Sequence, residues 1–554
     1  MFRHLICRVK SETPKENYRV WLLRRRIRIL KMRVVEPPVD VKEAFYRFSP
    51  SGMMTVDDML RFLMEHQAQK TATMKDAQAI FDIIIFHRRD RDRDRDRELH
   101  LHDFFRYLLG DLNLAHPPSS KVHHDMNAPL SHYFLFTGHN SYLTGNQFSS
   151  KTSVEPIKDA LLRGVRVIEL DLWPDSKGNH VKVCHGRTLT SSVGLQNEKV
   201  AKMVKETFGD MLYTNETENL EQFLSPESLK KKVLISTKPP EVYQNTQGGE
   251  ILKNGSGTAT NEGQSSQCNP PEEGEHIPDE DEEKVVPEYR HIIAIHAGKL
   301  KGGLKNWLSD DPNKARRLSL SEQELENAVK TYGTKIVKFT QRNFLRVYPK
   351  GARVDSSNYN PFVGWMHGAQ MVAFNMQGHG KHLWIMQGMF KANGGCGYVK
   401  KPDFLLQGGP NDEVFDPSAL LAVKTVMRVK VIMGEGWHQD FHHTAFDYFS
   451  PPDFKTRIGI AGVAADKVVK ETATIDDDWL PVWNKEFEFQ LRVPELAVLR
   501  IKVVESDTGS CDFGGQACLP VSELRTGIRA VPLHDKKGNK YKHARVLLSI
   551  KFEL

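Results

Sequence analysis

The sequence predicts a multidomain chain: an α-helical lobe, a parallel α/β barrel or sheet broken by a polar insert, and a C-terminal antiparallel β-sandwich. Three observations predict it. Residues 41–115 carry apolar side chains at helical spacing. Residues 116–240 and 289–410 alternate apolar strand-like runs with helical stretches. Residues 425–554 repeat short apolar runs between turns, with little helix. A length of 554 residues leaves room for three or four domains at about 150 residues each. Hydrophobic residues make up 39% and charged residues 27%, which excludes a wholly disordered chain, a collagen and a small disulfide scaffold. No apolar run reaches about 18 residues, so no membrane-spanning helix is expected and lipid is met from outside.

The elements follow in order. Residues 1–40 are a basic extension. Its stretch Val20 to Leu30, with Arg24, Arg25, Arg26 and Arg28 among apolar residues, reads either as an interfacial segment on anionic lipid or as a solvated or leader-like extension. No signal peptide precedes it. In the 41–115 lobe, Phe48 to Val56 has the outline of a helix-loop-helix calcium loop but lacks its acidic ligands, so this EF-hand-like lobe is expected to pack rather than bind metal. The alternating run Arg89 to Arg97 reads as a solvated loop. Pro117-Pro118 marks a boundary. Strands are expected at Tyr133–Phe136, Val165–Leu172, Val181–Cys184 and Val233–Ser236, with a helix over Val154–Arg163. Residues 241–288 form an acidic disordered linker by composition. Strands resume at Phe344–Tyr348, Met371–Phe374 and Leu383–Met386. Six scattered cysteines with no CxxC spacing point to a reducing compartment.

Three clusters carry chemistry. Thr137-Gly138-His139-Asn140-Ser141-Tyr142 follows a strand. Glu169 and Asp171 stand two apart on the Val165–Leu172 run, which turns both carboxylates to one side. Cys184-His185-Gly186-Arg187-Thr188 follows the next run. Taken singly, each of these residues is an ordinary core or surface polar group. Together at strand ends, two histidines, two carboxylates and an amide suit calcium-assisted phosphoryl chemistry: calcium takes oxygen ligands, and histidine trades protons near neutral pH.

These motifs carry a resemblance. Pro129-Leu130-Ser131-His132-Tyr133 leading into His139-Asn140, then Glu169-Leu170-Asp171 and His185-Gly186, resemble the X half of eukaryotic phosphoinositide-specific phospholipase C. Leu345 to Gly351, Asp355 to Pro361 and Asn393 to Val399 resemble its Y half. The order of modules, with no pleckstrin-homology module before the helical lobe, resembles the plant enzymes. The resemblance implies a distorted TIM-type (β/α)₈ barrel split into X (116–240) and Y (289–410) halves, and a C2 domain over 425–554. It implies His139 as stabiliser of developing phosphorane charge and His185 as acid toward the departing diacylglycerol oxygen. It implies Asn140, Glu169 and Asp171 as Ca²⁺ ligands, Lys238 as a binder of ring phosphates, Ser319 and Arg346 as substrate-binding residues, and Tyr348 as a ring-stacking residue. In the C2 domain, Asp447 and Asp453 in one loop and Glu505, Asp507 and Asp512 in another imply calcium and lipid binding. Cys511 stands where plant relatives often carry an acid, and Asp476-Asp477-Asp478 stays open between a further ligand loop and solvated acids.

One departure stands out. After the His185 strand the family has a helix and a strand bearing a further calcium-ligating Glu. Here Thr190 to Gly194 runs almost directly into Leu195 to Lys199, so about 30 residues, one βα unit, have no counterpart. Glu198 lies in a helical pattern and is no replacement. The expected activity is calcium-dependent hydrolysis of phosphatidylinositol 4,5-bisphosphate to diacylglycerol and inositol 1,4,5-trisphosphate, by a cytoplasmic protein peripheral at the plasma membrane. The departure also fits a catalytically impaired splice or gene-model variant that keeps calcium-dependent lipid binding. Expected partners are the phosphoinositide substrate and an anionic membrane surface. Nucleic acid is not among them, and a monomer is expected.

Overall fold

A computed structural model describes residues 17–22, 26–31, 36–86, 98–116, 121–174, 180–185, 194–215, 220–237, 287–298, 303–309, 314–408, 413–442, 445–446, 450–506 and 512–553. The Arg89–Arg97 run, nearly all of the 241–288 insert, Lys238, Asp447 and Asp507 lie outside these residues. Within the basic extension, β1 (Asn17–Leu22) and β2 (Arg26–Lys31) form an antiparallel hairpin.

The lobe has four helices: α1 (Val39–Phe48), α2 (Val56–Arg61) continued by a π turn to His66, α3 (Met74–Phe86) and α4 (Leu101–Leu109). Thr55 caps α2: its hydroxyl accepts from the Asp58 N–H, and the Asp58 carboxylate accepts from the Thr55 N–H. Asp58 is thereby used as a cap. The two loops are joined by a Met54–Leu99 antiparallel bridge with N–O distances of 2.9 and 3.0 Å. Phe45, Phe48, Phe62 and Phe104 fill the lobe, and its core continues into Ile432, Met433, Ile528 and Leu547 of the C-terminal sandwich. Arg529 is buried in this junction. It donates to Asn113 Oδ1 (2.8 Å), the Gln67 carbonyl (2.9 Å) and the Thr526 carbonyl (2.8 Å), which satisfies the groups of both modules.

The central body is a ring of parallel strands. Through its first half run β3 (Tyr133–Leu135), β4 (Thr137–Gly138), α5 (Glu155–Leu162), β5 (Leu172–Pro174), β6 (Val181–Val183), α6 (Gly194–Phe208), β7 (Leu212–Tyr213) and β8 (Val233–Thr237). The second half adds α7 (Pro287–His291), β9 (Ile293–His296), α8 (Leu304–Trp307), β10 (Arg317–Ser321), α9 (Glu322–Arg342), β11 (Phe344–Tyr348), α10 (Phe362–Met366), β12 (Met371–Phe374), α11 (Lys381–Met389) and β13 (Tyr398–Lys400). Parallel pairing runs β7-β8-β9, crosses at Ala297–Arg317 to β10-β11-β12-β4, and ends at a Thr137–Val167 bridge. β3 and β13 pair antiparallel beside it, so with β12–β4 and β8–β9 the two halves are sewn together three times. There the glycine motif has its reason. Gly397 sits at φ +84°, and a Cβ on it would lie 2.1 Å from the Gly164 carbonyl oxygen.

Three strand expectations need correction. The run Val165–Leu172 is not one strand: Val167 forms a single bridge, and regular pairing starts only at Leu172. The run Val181–Cys184 makes an antiparallel hairpin with β5, outside the parallel ring. The run Leu383–Met386 lies inside helix α11, buried on all four residues. A short, wholly buried apolar run has no periodicity that separates strand from helix.

The missing unit leaves a visible seam. Among the described residues no pairing joins Val167 or β5 to β7. All five residues of β8 are half-exposed, whereas every residue of β12, on the far side, is buried. Leu170 and Leu172 are exposed as well. An open sheet edge exposes its neighbours in this way.

The sandwich comprises β14 (Thr425–Glu435), helix α12 (Trp437–Asp440), β15 (Phe454–Ala461), β16 (Val468–Glu471), β17 (Val482–Leu491), β18 (Val498–Glu505), β19 (Phe513–Pro520), β20 (Gly527–His534) and β21 (Lys540–Glu553). Two antiparallel four-stranded layers, β16-β15-β18-β19 and β20-β21-β14-β17, touch in register only at Gln516–His534. Trp437, Phe454, Phe489 and Ile501 lie between them. Burying each such side chain contributes roughly 1.5–3 kcal/mol. A turn of the sandwich, Val521–Glu523, reaches the barrel. Glu523 accepts from the Asn393 N–H (2.7 Å) and lies 3.3 Å from His116 Nε2 and 3.2 Å from His123 Nε2. Burial alone would raise its pKa. The hydrogen bonds from His116, His124 and Asn393, with the charge of His123, outweigh burial and hold the carboxyl well below 4.5.

A depressed carboxyl contributes stability above its unfolded pKa and loses it as pH falls through the folded value. Glu523→Gln should therefore cost about 2 kcal/mol at pH 7. In denaturant melts the gap to wild type should close as pH drops below 4.5. A gap as large at pH 3 as at pH 7 would refute the role of this carboxylate.

Candidate active site

The site forms at the C-terminal ends of the parallel strands. β4 ends in Gly138, and the His139 N–H donates to the Phe374 carbonyl of β12 at 2.7 Å. The chain then turns sharply, with Asn140 in the left-handed region at φ +46°, which Asn tolerates better than most residues. His139 Nδ1 lies 2.9 Å from Asn375 Oδ1, so Nδ1 carries the proton and donates. Its Nε2 is turned toward Glu169 Oε2 at 3.9 Å. Burial lowers the His139 pKa, and the opposing pull of Glu169 and Asn375 does not reverse it.

Although residues 168–171 are not regular strand, Glu169 and Asp171 do face the same space. Glu169 Oε1 pairs with Arg346, and Asp171 Oδ2 accepts from the Tyr142 hydroxyl at 2.6 Å. The Arg346 guanidinium lies over the Tyr348 ring, 5.1 Å from its centre. Ser319 stands beside Arg346 in the β10–β11 register. Alternation along both strands turns Arg317, Ser319 and Ser321 with Arg346 and Tyr348 to the face away from Leu318, Leu320, Leu345 and Val347, which are buried under the outer helices. Among the described residues, His185 follows β6, is exposed, and makes no side-chain hydrogen bond or ion pair. The hairpin carrying it is held by the Cys184 N–H on the Asp171 carbonyl at 3.2 Å. Glu198 is an exposed residue of α6.

Three residues of the site escaped sequence reasoning. Asn375 fixes His139. Gln147 accepts from Asn140 Nδ2 (3.0 Å) and donates to Asn375 Oδ1 (3.1 Å) and Ser356 Oγ (2.8 Å), which ties the His139–Asn140 loop to the second half. Arg317 is a second guanidinium in the barrel, and burial, with Arg346 nearby, brings its pKa down to about 10. An arginine-serine alternation at the start of a strand was the available signal for Arg317. Nothing in one sequence pairs Gln147 with Asn375.

The donor set suits a hard cation. Asn140, Glu169 and Asp171 offer oxygen, and Glu169 Oε2 is buried with no hydrogen-bond partner. Calcium takes about six to eight oxygens, so substrate and water would supply the remainder.

At the sandwich end, Phe454 pairs with both Ile475 and Glu505, which gathers three loops. Asp453 Oδ1 accepts from the Asp477 N–H at 2.8 Å, and its carbonyl accepts from the Ser506 N–H at 2.8 Å. This brings the ambiguous Asp476–Asp478 segment to the same place. Asp512 is exposed, and its carbonyl accepts from the Glu505 N–H at 3.0 Å. Glu505 corrects its expectation: it is the last residue of β18, 1% exposed, rather than a loop acid.

Comparison with known proteins agrees with these parts. Residues 126–197 and 195–239 match "Phosphatidylinositol-specific phospholipase C, X domain", residues 294–404 match its Y domain, and 425–537 match a C2 domain. The X match breaks where the βα unit is lacking. Phosphoinositide phospholipase C 2 of Arabidopsis thaliana is 50% identical over 592 residues, covering 97% of this chain and all of the relative. That aligned length exceeds the 554 residues here, so at least 38 aligned positions have no counterpart in this chain. Mouse 1-phosphatidylinositol 4,5-bisphosphate phosphodiesterase delta-3 is 30% identical, over 93% of this chain and 68% of its own. The crystal structure of L. pealei PLC21 shares the fold, with a TM-score of 0.71 at 22% identity over 93% of this chain and 68% of that one.

If Asn375 sets the His139 tautomer, ¹⁵N shifts of His139 should report Nδ1–H in wild type and a mixture in Asn375→Leu. An unchanged tautomer in the variant would remove Asn375 from the site.

Proposed function

Because the chain belongs to the phosphoinositide-specific phospholipase C family, we propose that it cleaves phosphatidylinositol 4,5-bisphosphate to diacylglycerol and inositol 1,4,5-trisphosphate. The observation carrying this reading is the meeting of His139, Asn140, Glu169 and Asp171 with Ser319 and Arg346 at one end of the parallel strands. Arg346, Arg317 and Ser319 give the interior a cationic, hydrogen-bonding lining suited to ring phosphates, with Lys238 proposed to join them and Tyr348 to pack against the inositol ring.

The proposed chemistry passes through a cyclic phosphate. A carboxylate of the site takes the proton of the inositol 2-hydroxyl, whose oxygen attacks phosphorus. His139 Nε2, held by Asn375, stabilises charge developing on the phosphoryl oxygen. His185 gives a proton to the diacylglycerol oxygen as the P–O bond breaks, and water later opens the ring with the proton flow reversed. Calcium, held by Asn140, Glu169 and Asp171, would supply electrophilic polarisation of the phosphate.

Among the described residues no helix is long and apolar enough to cross a membrane. We infer peripheral docking at the cytoplasmic face of the plasma membrane, by a monomer. Asp447, Asp453, Glu505, Asp507 and Asp512 are the proposed calcium-lipid acids of the C2 domain. Phe148, 82% exposed and next to Gln147, is the proposed apolar probe of the barrel mouth.

The open seam beside β8 favours a second reading, in which the chain docks on lipid but turns over poorly. Release of soluble inositol phosphate from mixed vesicles, measured with wild type and His139→Ala, separates the two. Turnover in wild type that falls at least ~100-fold in His139→Ala supports the enzyme. Equal silence with intact vesicle sedimentation supports the second reading. Under either, Phe148→Ala should weaken sedimentation several-fold, and calcium chelation should release the protein. Sedimentation indifferent to both would refute the docking surfaces.

A further inference from the structure

A cavity of about 520 Å³ lies where the barrel, the segment leading into it and the sandwich meet, away from the active site. Its apolar wall includes Phe136 and Phe390, stacked 4.5 Å apart, with Trp384, Leu519 and Val531. Its polar lining is one-sided: Lys391, Lys540, Arg163, His116, His534 and Gln516 face it, and no Asp or Glu does.

Most of these cations already have partners. Lys540 lies 3.4 Å from Asp111, His116 lies 3.3 Å from Glu523, and Arg163 donates to the Lys537 carbonyl (2.9 Å) and Asn539 Oδ1 (2.8 Å). Lys391 differs. Among the described residues no carboxylate comes within ion-pair distance of its ammonium, and its charge is felt by the cavity residues Cys518, Lys540 and His534. Burial pushes its pKa down, and Lys540 adds to this. Two more polar atoms in the lining, Gln516 Oε1 and His534 Nδ1, are buried without hydrogen-bond partners. A half-buried cation lacking a counter-charge is unfavourable, and buried orphaned polar atoms are costly. Such groups are ordinarily satisfied by protein, ordered water or a bound ion or ligand.

We propose that this cavity binds a phosphate monoester, its oxygens on Lys391 with Lys540 nearby and its carbon body against Trp384 and Phe390. A monoester carries about 1.5 to 2 negative charges at neutral pH, matching a lining with several cations. Its fractionally protonated oxygen can donate to Gln516 Oε1. The volume is within the usual range for small-ligand pockets, about 300–1,000 Å³. The same headgroup chemistry exists in a soluble ester and in a phosphatidic acid, so the test uses both.

Calorimetric titration of the full chain with glycerol 3-phosphate and with monomeric dihexanoyl phosphatidic acid reads the site. Dihexanoyl phosphatidylcholine, a zwitterionic diester, is the control. Saturable binding of either monoester supports the proposal if it is at least ~10-fold weaker in Lys391→Met and unchanged in His139→Ala. Which monoester binds identifies a soluble or a lipid source. Lys391→Met should melt at or above wild type, because it removes a half-buried charge that lacks a counter-charge. If it does not fold, Lys540→Gln carries the test, with a loss of several-fold expected. Absence of saturable binding to wild type up to millimolar monoester, equal binding of the phosphatidylcholine, or unchanged binding in the lysine variant would overturn the proposal.

Discussion

The parallel pairing of β4 with β12 is the constraint on which the rest of the site depends. Ala373 and Phe374 lie beside Thr137 and Gly138, more than 230 residues away in sequence. This pairing holds the His139 backbone at 2.7 Å and delivers Asn375 to the His139 ring. Gln147 then fastens Asn140 to Asn375 and Ser356. Each half therefore holds only part of the constellation. Carboxylates and histidines come from the first half, and the arginines and the orienting amide from the second.

Electrostatics follow from that meeting. One carboxylate, Glu169, faces Arg346 and the buried Arg317, and His139 lies between it and Asn375. Such an interior favours phosphate while keeping the imidazole from charging readily. The other modules are locked to the barrel and to each other by groups used the same way. Glu523 gathers histidines and the Asn393 N–H, and Arg529 gathers Asn113 and the Gln67 carbonyl. In both cases a buried charge is tolerable because partners from two modules saturate it.

The seam between Val167 and β7 is the counterpart of these closures. Where the chain lacks a βα unit, no other described element replaces it, and β8 stays half-exposed. The opposite wall, β10-β11-β12-β4, is continuous, and it carries Ser319, Arg346 and His139. The residues nearest the gap are instead those of the β5–β6 hairpin with His185, so the gap bears on the proposed acid and metal ligands more than on the proposed phosphate-binding residues.

The sequence by itself determined the module order, the split barrel, the clusters at His139, Glu169–Asp171 and Arg346, and the missing unit. The module order rests on local pattern; the split barrel, the role of these clusters and the missing unit rest on the motifs that carry the resemblance to the family. The sequence also located the sandwich over residues 425–554, from short apolar runs recurring between turns. Only the tertiary structure decided that Leu383–Met386 is helix, that Glu505 is buried at a strand end, and that Val181–Cys184 leaves the parallel ring. It alone brought Asn375, Gln147 and Arg317 to the site and left Lys391 facing a cavity without a counter-charge. The physical reason is common to all of these. Burial, partner and exposure are relations between segments distant in sequence, and they take a value only once long-range pairing has fixed which surfaces meet.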